Sequence, residues 1–380
     1  MIYLDNAATS FPKPRAVIDE MARCMRYYCG NAGRGSHRLA LIMAEKIYAC
    51  RERIADFFGS SHPENVCFCM NTTMAINMAI KGLLREGDHV LISDMEHNAV
   101  LRPIERLARE GKITYDLFPT LVCDPSRSAS RICTALAHRI KPNTKMVICS
   151  HIPNLCAMEM PLEEIGRLCR QKDLYFVVDA AQSAGHAPID VEKMMIDALC
   201  VPAHKGLFGP QGCGFVLWGE NIQAETLIEG GSGFQSLERS MPLELPERFE
   251  AGTLPSPAII GLAEGVKTVS SFGVDVIATH ERLLWSNLYD RLSSIENITV
   301  YAPQYKGSVL LFNVKDKSAD QIGDALNRHG ICVRSGYHCA ALGHQTLQTP
   351  DGGAVRVSFG IYNKPTDVDA LFFALKEILQ

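Results

Sequence analysis

The sequence lacks any apolar run approaching the about twenty residues that a bilayer-crossing helix needs. No basic N-terminal stretch leads into an apolar one in the manner of a secretion signal. Neither membrane insertion nor export is expected, and the expected location is cytoplasmic. Charge of one sign is missing too: 38 Lys and Arg stand against 42 Asp and Glu, a net charge of −4. That balance gives no reason to expect nucleic acid or an anionic membrane as a partner. Internal repeats and low-complexity tracts are absent. Finger-like metal spacing is absent as well. Its nearest approach, Cys67-Phe68-Cys69, lies in a run that reads as a strand, and no second Cys or His pair accompanies it. No metal site is expected. The fourteen cysteines of this 380-residue chain then read as thiols in a reducing compartment, most of them small buried hydrophobes.

Short apolar runs alternate with helical patterns through the first two thirds of the chain. Strand candidates at 65–70, 89–94, 145–152, 173–179, 197–203 and 213–218 are apolar throughout rather than alternating. Such runs suit strands buried on both faces of a mostly parallel sheet, so the expected class is α/β with the sheet between helices. Gly230-Gly231-Ser232-Gly233 and the Pro- and Glu-bearing stretch Met241–Glu247 mark exposed loops. Beyond Pro257 a smaller α+β unit carries strand candidates at 308–314, 331–334 and 354–359. Within it, Ser318-Ala319-Asp320-Gln321 is a capping box opening a helix that Gly330 closes. The last helix starts near Thr366, with Val368, Leu371, Phe372, Leu375 and Leu379 on one stripe. The expected division is a large domain over 1–257 and a small one over 258–380, with the first about fifteen residues packing on the small one.

Several strand ends carry groups suited to one ligand. Asp179 ends an apolar strand at the carboxyl edge of the sheet, where open α/β sheets bind ligands. His204-Lys205-Gly206 ends the next strand and faces the same crevice. A lysine in an apolar crevice can lose its proton and attack a carbonyl, forming a Schiff base, while a carboxylate there can keep a pyridinium nitrogen protonated. Asn71-Thr72-Thr73 follows strand 65–70 and opens a helix, where free N–H groups and hydroxyls make an anion site; the alternative is a plain threonine N-cap. Glu96-His97-Asn98 offers an imidazole to stack on a flat ring, or else a simple loop histidine.

These residues resemble the cysteine desulfurase and selenocysteine lyase family, of the class V aminotransferase group and pyridoxal-phosphate fold type I. The resemblance rests on Tyr3-Leu4-Asp5-Asn6-Ala7-Ala8, Thr72-Thr73, Glu96-His97, Asn154, Asp179-x-x-Gln182, His204-Lys205 and Glu250-Ala251-Gly252-Thr253, in order along nearly the whole chain. It implies pyridoxal 5'-phosphate as cofactor, Lys205 as the Schiff-base lysine, and Asp179 on the pyridine nitrogen. Gln182 is implied on the ring hydroxyl, and His97 against the ring face as a further catalytic group. Thr72, Thr73 and His204 are implied at the phosphate. Thr253 is implied to reach the phosphate of a neighbouring subunit, hence a homodimer with shared active sites. Asn154 is implied near the ring hydroxyl or the substrate carboxylate.

Arg334-Ser335-Gly336-Tyr337-His338-Cys339-Ala340 resembles the segment that carries the catalytic cysteine in the desulfurase branch with a short, ordered loop. Arg334, on the substrate side, and His338 are the cationic neighbours expected to favour the thiolate; the alternative is one more buried thiol. Arg356, within Val355-Arg356-Val357-Ser358, matches the arginine that grips the substrate α-carboxylate; the alternative is an exposed strand arginine. The reaction so implied removes sulfur from L-cysteine, leaving L-alanine and a persulfide on Cys339, with a sulfur- or selenium-acceptor protein as a further partner. Selenocysteine lysis is an alternative, as is class V aminotransferase or lyase chemistry with no persulfide step. Three positions depart from the pattern. Pro202 stands where a phosphate-binding Ser is common, Asn71 where Gly is common, and Asn154 lacks a following Gly. They suggest a divergent branch.

Overall fold

The computed structural model describes residues 1–33 and 35–380. Thirteen strands occur among the described residues. They are β1 (Ile2–Tyr3), β2 (Val66–Cys69), β3 (His89–Ser93), β4 (Thr114–Phe118), β5 (Thr144–Ser150), β6 (Tyr175–Asp179), β7 (Ala198–Pro202), β8 (Gly214–Trp218), β9 (Ile298–Tyr301), β10 (Val309–Val314), β11 (Ile331–Cys332), β12 (Arg334–Gly336) and β13 (Ala354–Ser358). β2 to β8 form one seven-stranded sheet in the order β2-β8-β7-β6-β5-β3-β4. β8 alone is antiparallel to its neighbours, so β2 runs the same way as β3 to β7. The carboxyl ends of five apolar strands therefore share one edge.

The apolar runs are explained by helices on both faces. In β6, Phe176 and Val178 face the core that holds Phe58, Phe118 and Phe215, while Val177 faces the one that holds Ile76, Val90 and Trp218. The edge strand β4 was not among the expected strands. Its sequence Thr-Tyr-Asp-Leu-Phe is only partly buried, and pairing with β3 alone demands no continuous apolar run. β9, half-buried at the edge of the second sheet, escaped for the same reason.

The second sheet has the order β12-β13-β10-β9, all antiparallel. β1 pairs with β11, and Leu4 joins Phe312, Val355, Phe359 and Leu371 in the core beneath. The N-terminal segment then runs back to the large sheet. Ala7 N–H donates to Ser358 Oγ at 2.9 Å, Gln182 Nε2 donates to Ala7 O at 3.0 Å, and Ser10 Oγ donates to Lys205 O at 2.9 Å. Helix Ser256–Phe272 packs on the loop behind Lys205. A side chain at Gly265 would collide with the Leu207 carbonyl, so glycine is required there.

One buried ion pair clamps the 250 region to the sheet. Glu250 accepts from Arg51 at 2.8 and 2.6 Å and from the Phe68 N–H at 2.6 Å, and Arg51 also donates to Val66 O. Removing one partner leaves the other charged and desolvated. Glu250→Ala is expected to cost about 3–5 kcal/mol of stability, read as a lowered denaturation midpoint.

Candidate functional site

The shared carboxyl edge forms a cleft lined by Thr72, His97, Asn154, Asp179, His204 and Lys205, with Pro202 and Gln182 also on its wall. Loss of water around the half-buried Lys205 amine lowers its pKa to about 8; Asp179 and Asp5 oppose the shift, while Arg356 and Arg334 add to it. Asp179, the last residue of β6, is buried, and burial raises its pKa against the Ala181 N–H, which donates to Oδ1 at 2.9 Å, and the nearby Lys205.

His97 caps helix Asn98–Arg109, its Nδ1 accepting from the Ala99 N–H at 3.0 Å. Burial lowers its pKa to about 4, helped by Lys205 and Arg334. The ring is therefore neutral, with its proton on Nε2.

At the end of β2 the structure removes the threonine-cap alternative. The cap of helix Thr72–Leu83 is Asn71, whose Oδ1 accepts from Met74 N at 3.0 Å, and not a threonine. Asn71 thus takes over the capping, and the buried Thr72 Oγ1 has no partner. The Nδ1 of His204 also has none, and burial lowers the pKa of that ring to about 4. Unsatisfied buried polar atoms are costly. A hydroxyl and an imidazole nitrogen left so beside a helix N-terminus fit a phosphate. One carboxylate and one amine within the same cleft fit a pyridine aldehyde.

The Cys339 loop closes over this edge from the second sheet. Asn98 N–H donates to Cys339 O at 2.7 Å, and Asn154 Nδ2 donates to His338 O at 2.7 Å. Asn154 therefore spends its amide nitrogen on the loop, while its Oδ1 has no partner. Cys339 is exposed, and Arg334 Nη2 lies 3.9 Å from its sulfur. His338 does not supply the expected second cation: burial and the Arg356 charge lower its pKa to about 3. Nine of the fourteen cysteines are buried, so exposure sets Cys339 apart from most of the thiols.

Arg356 is 1% exposed, which removes the exposed-strand alternative. Its Nη2 donates to Asp5 Oδ1 at 2.9 Å and its Nη1 to Asn154 O at 3.2 Å, and Nε has no partner. Across the sheet Arg356 is paired directly with Arg334. Two guanidinium groups opposite one another are unfavourable unless an anion joins them. Asp5 was legible as part of a motif, but its pairing with Arg356, 351 positions away, was not. Ser150, which ends β5 on the cleft wall, was also missed; its N–H and hydroxyl donate to Glu96 at 2.8 and 3.0 Å. A polar residue closing an apolar strand was the available signal. Thr253 is exposed and does not line the Lys205 cleft of its own chain; its neighbours Gly252 and Leu254 line a different depression, with Asn31 and Tyr48.

Among the described residues no helix is long and apolar enough to cross a membrane. The family model Aminotransferase class-V matches residues 2–371. A probable cysteine desulfurase of Methanothermobacter thermautotrophicus is 34% identical over 99% of this chain and 94% of its own length. One from Pyrococcus abyssi is 32% identical over 100% and 94%. The apo cysteine desulfurase of Thermococcus onnurineus superposes with a TM-score of 0.89 at 30% identity, covering 99% of this chain and 94% of that one.

Proposed function

Because this chain belongs to the class-V aminotransferase family, we propose that it binds pyridoxal 5'-phosphate at Lys205 and acts as a cysteine desulfurase, releasing L-alanine and leaving a persulfide on Cys339. The observation that carries this reading is the bond from Asn98 N–H to Cys339 O. It ties the exposed thiol to the turn beginning at His97, on the wall of the Lys205 cleft. The fit of the cofactor rests on the free Thr72 Oγ1 and His204 Nδ1 atoms for its phosphate and on Asp179 for its ring nitrogen.

When bound, the cofactor supplies an electron sink that makes the α-hydrogen of an amino acid labile. The residues of the chain do the rest. Asp179, although its pKa is raised, would hold the ring nitrogen in its protonated form and would itself stay ionised beside that charge. His97, neutral and fixed by Ala99 N–H on the cleft wall, would supply the flat ring against which the cofactor stacks. Gln182 retains a second amide hydrogen beyond the one given to Ala7 O for the ring hydroxyl. Arg356 and Arg334 hold the substrate carboxylate between them, and that anion relieves their mutual repulsion. The Lys205 amine carries the α-proton. The Cys339 thiolate attacks the substrate sulfur: its Sγ forms the new S–S bond as the Cβ–S bond of the substrate breaks, the electron pair of that bond stays with the carbon skeleton, which takes up protons to become alanine, and Arg334 stabilises the attacking sulfur. The proposed partner set is a second copy of the chain, with Thr253 of each reaching the phosphate of the other, and an acceptor protein for the sulfur. Incubation with L-cysteine followed by peptide mass spectrometry tests the reading: one added sulfur on the Cys339 peptide is expected, and its absence under conditions that release alanine sinks it.

A pH dependence follows from Lys205. Only the neutral amine attacks the cofactor aldehyde, and burial sets its pKa at about 8. Covalent uptake of cofactor by the apoprotein is expected to rise about tenfold per pH unit below that value and to level off above it. Borohydride trapping at a series of pH values measures it. An unburied lysine would still be climbing at pH 10.

A further inference from the structure

The loop that presents Cys339 adopts a backbone that its residues do not favour. His338 and Cys339 are consecutive non-glycine residues with φ of 52° and 56°, following Gly336 at 98°. Left-handed conformations at such residues persist only where the surroundings hold them. Much of the hold comes from side chains within the next eleven residues. His338 Nε2 lies 3.3 Å from Arg334 O, His338 Nδ1 lies 3.2 Å from His344 Nε2, and His344 Nδ1 lies 2.7 Å from Thr349 Oγ1.

The direction of every bond in this chain is determined. A carbonyl only accepts, so His338 Nε2 carries a hydrogen. Both rings are buried, and burial lowers their pKa values to about 3 and about 4, so both are neutral. His338 Nδ1 is then bare and accepts from His344 Nε2–H. His344 Nδ1 is bare in turn and accepts the Thr349 hydroxyl hydrogen. No lone pair is left on either ring to take a proton from Cys339.

We propose that Thr349 and His344 are positioning residues for the Cys339 thiol: the Arg334 carbonyl sets the His338 tautomer and through it that of His344, and the Thr349 hydroxyl, by donating to the bare His344 Nδ1, anchors the two rings that hold the Arg334–Cys339 turn with the sulfur beside the Arg334 guanidinium. Without the Thr349 hydroxyl, the buried His344 Nδ1 is left without a partner, the ring is no longer anchored on that side, and the turn loses its latch. The catalytic consequence rests on the desulfurase reading; the geometric one does not.

The experiment uses the full-length holoenzyme and two pairs of variants. Thr349→Val removes the hydroxyl at nearly constant shape, and Thr349→Ser keeps it. His344→Leu removes both ring nitrogens, whereas His344→Gln keeps a donor at the Nε2 position. Two quantities are read: the rate of iodoacetamide alkylation of the Cys339 peptide by mass spectrometry, and kcat for alanine release. Thr349→Val and His344→Leu are expected to change the alkylation rate and lower kcat by about tenfold or more, because a misplacement of an ångström suffices for such losses. Thr349→Ser and His344→Gln are expected to return both to within about threefold of the unmodified protein. The cofactor absorbance and its change on adding cysteine should be the same in all five proteins. Thr349→Val behaving as the unmodified protein overturns the proposal, as does a loss that Thr349→Ser fails to restore or one accompanied by an altered cofactor spectrum. If His344→Leu fails to fold, the Thr349 pair decides alone. If the unmodified protein releases no alanine, the desulfurase reading fails, while the alkylation rates still judge the latch.

Discussion

Lys205→Ala is expected to lose cofactor attachment and alanine release together, with turnover falling by at least about a thousandfold. The amine has two duties in the proposed chemistry, holding the cofactor and carrying the α-proton, and among the described residues no other lysine lines the cleft. Borohydride should fix the cofactor to a Lys205 peptide in the unmodified protein and to no peptide in the variant. Retention of alanine release by the variant would remove the basis of the whole reading. The proposed phosphate contacts of Thr72, Thr73 and His204 are independent of this lysine, so the variant should still take up cofactor reversibly.

Cys339→Ser separates cofactor chemistry from sulfur chemistry. Its cofactor spectrum and its spectral response to cysteine should match those of the unmodified protein, since the thiol is not part of the cleft wall formed by Asp179, His97 and Lys205. Alanine release should fall by at least about a hundredfold, because a serine hydroxyl beside Arg334 is far from ionised at neutral pH and a poor nucleophile toward sulfur. Alanine release at the unmodified rate would instead indicate class V chemistry without a persulfide. The two variants thus fail in different places, Lys205→Ala before the substrate is activated and Cys339→Ser after.

Much of the candidate site could be read from local sequence because its groups sit at strand ends. Asp179, His97, Thr72 and Lys205 each follow an apolar run, and a parallel sheet brings such ends to one edge whatever the details of packing. The α/β class was legible for a related reason: strands covered on both faces have no polar side to show, as the split of Phe176 and Val178 from Val177 illustrates. β4 and β9 were not legible, since an edge strand needs no apolar run.

Partnerships between distant residues were legible only in three dimensions. Nothing near Arg356 announces that Asp5 will occupy part of its guanidinium, or that Arg334 will stand opposite it. The protonation of His338 is the clearest case. Its type and its place beside Cys339 suggested a cation, and burial among Arg356, Arg334 and His344 makes it neutral. Charge state depends on desolvation and on neighbours brought together by the fold, and neither is a property of the residue or its spacing. The sequence by itself determined which apolar strands end in polar groups and that a mostly parallel sheet gathers such ends at one edge, because strands covered on both faces show no polar side. The tertiary structure alone decided which of those groups carry charge, which are already paired, and which are left free for a ligand, because those depend on the water that folding removes.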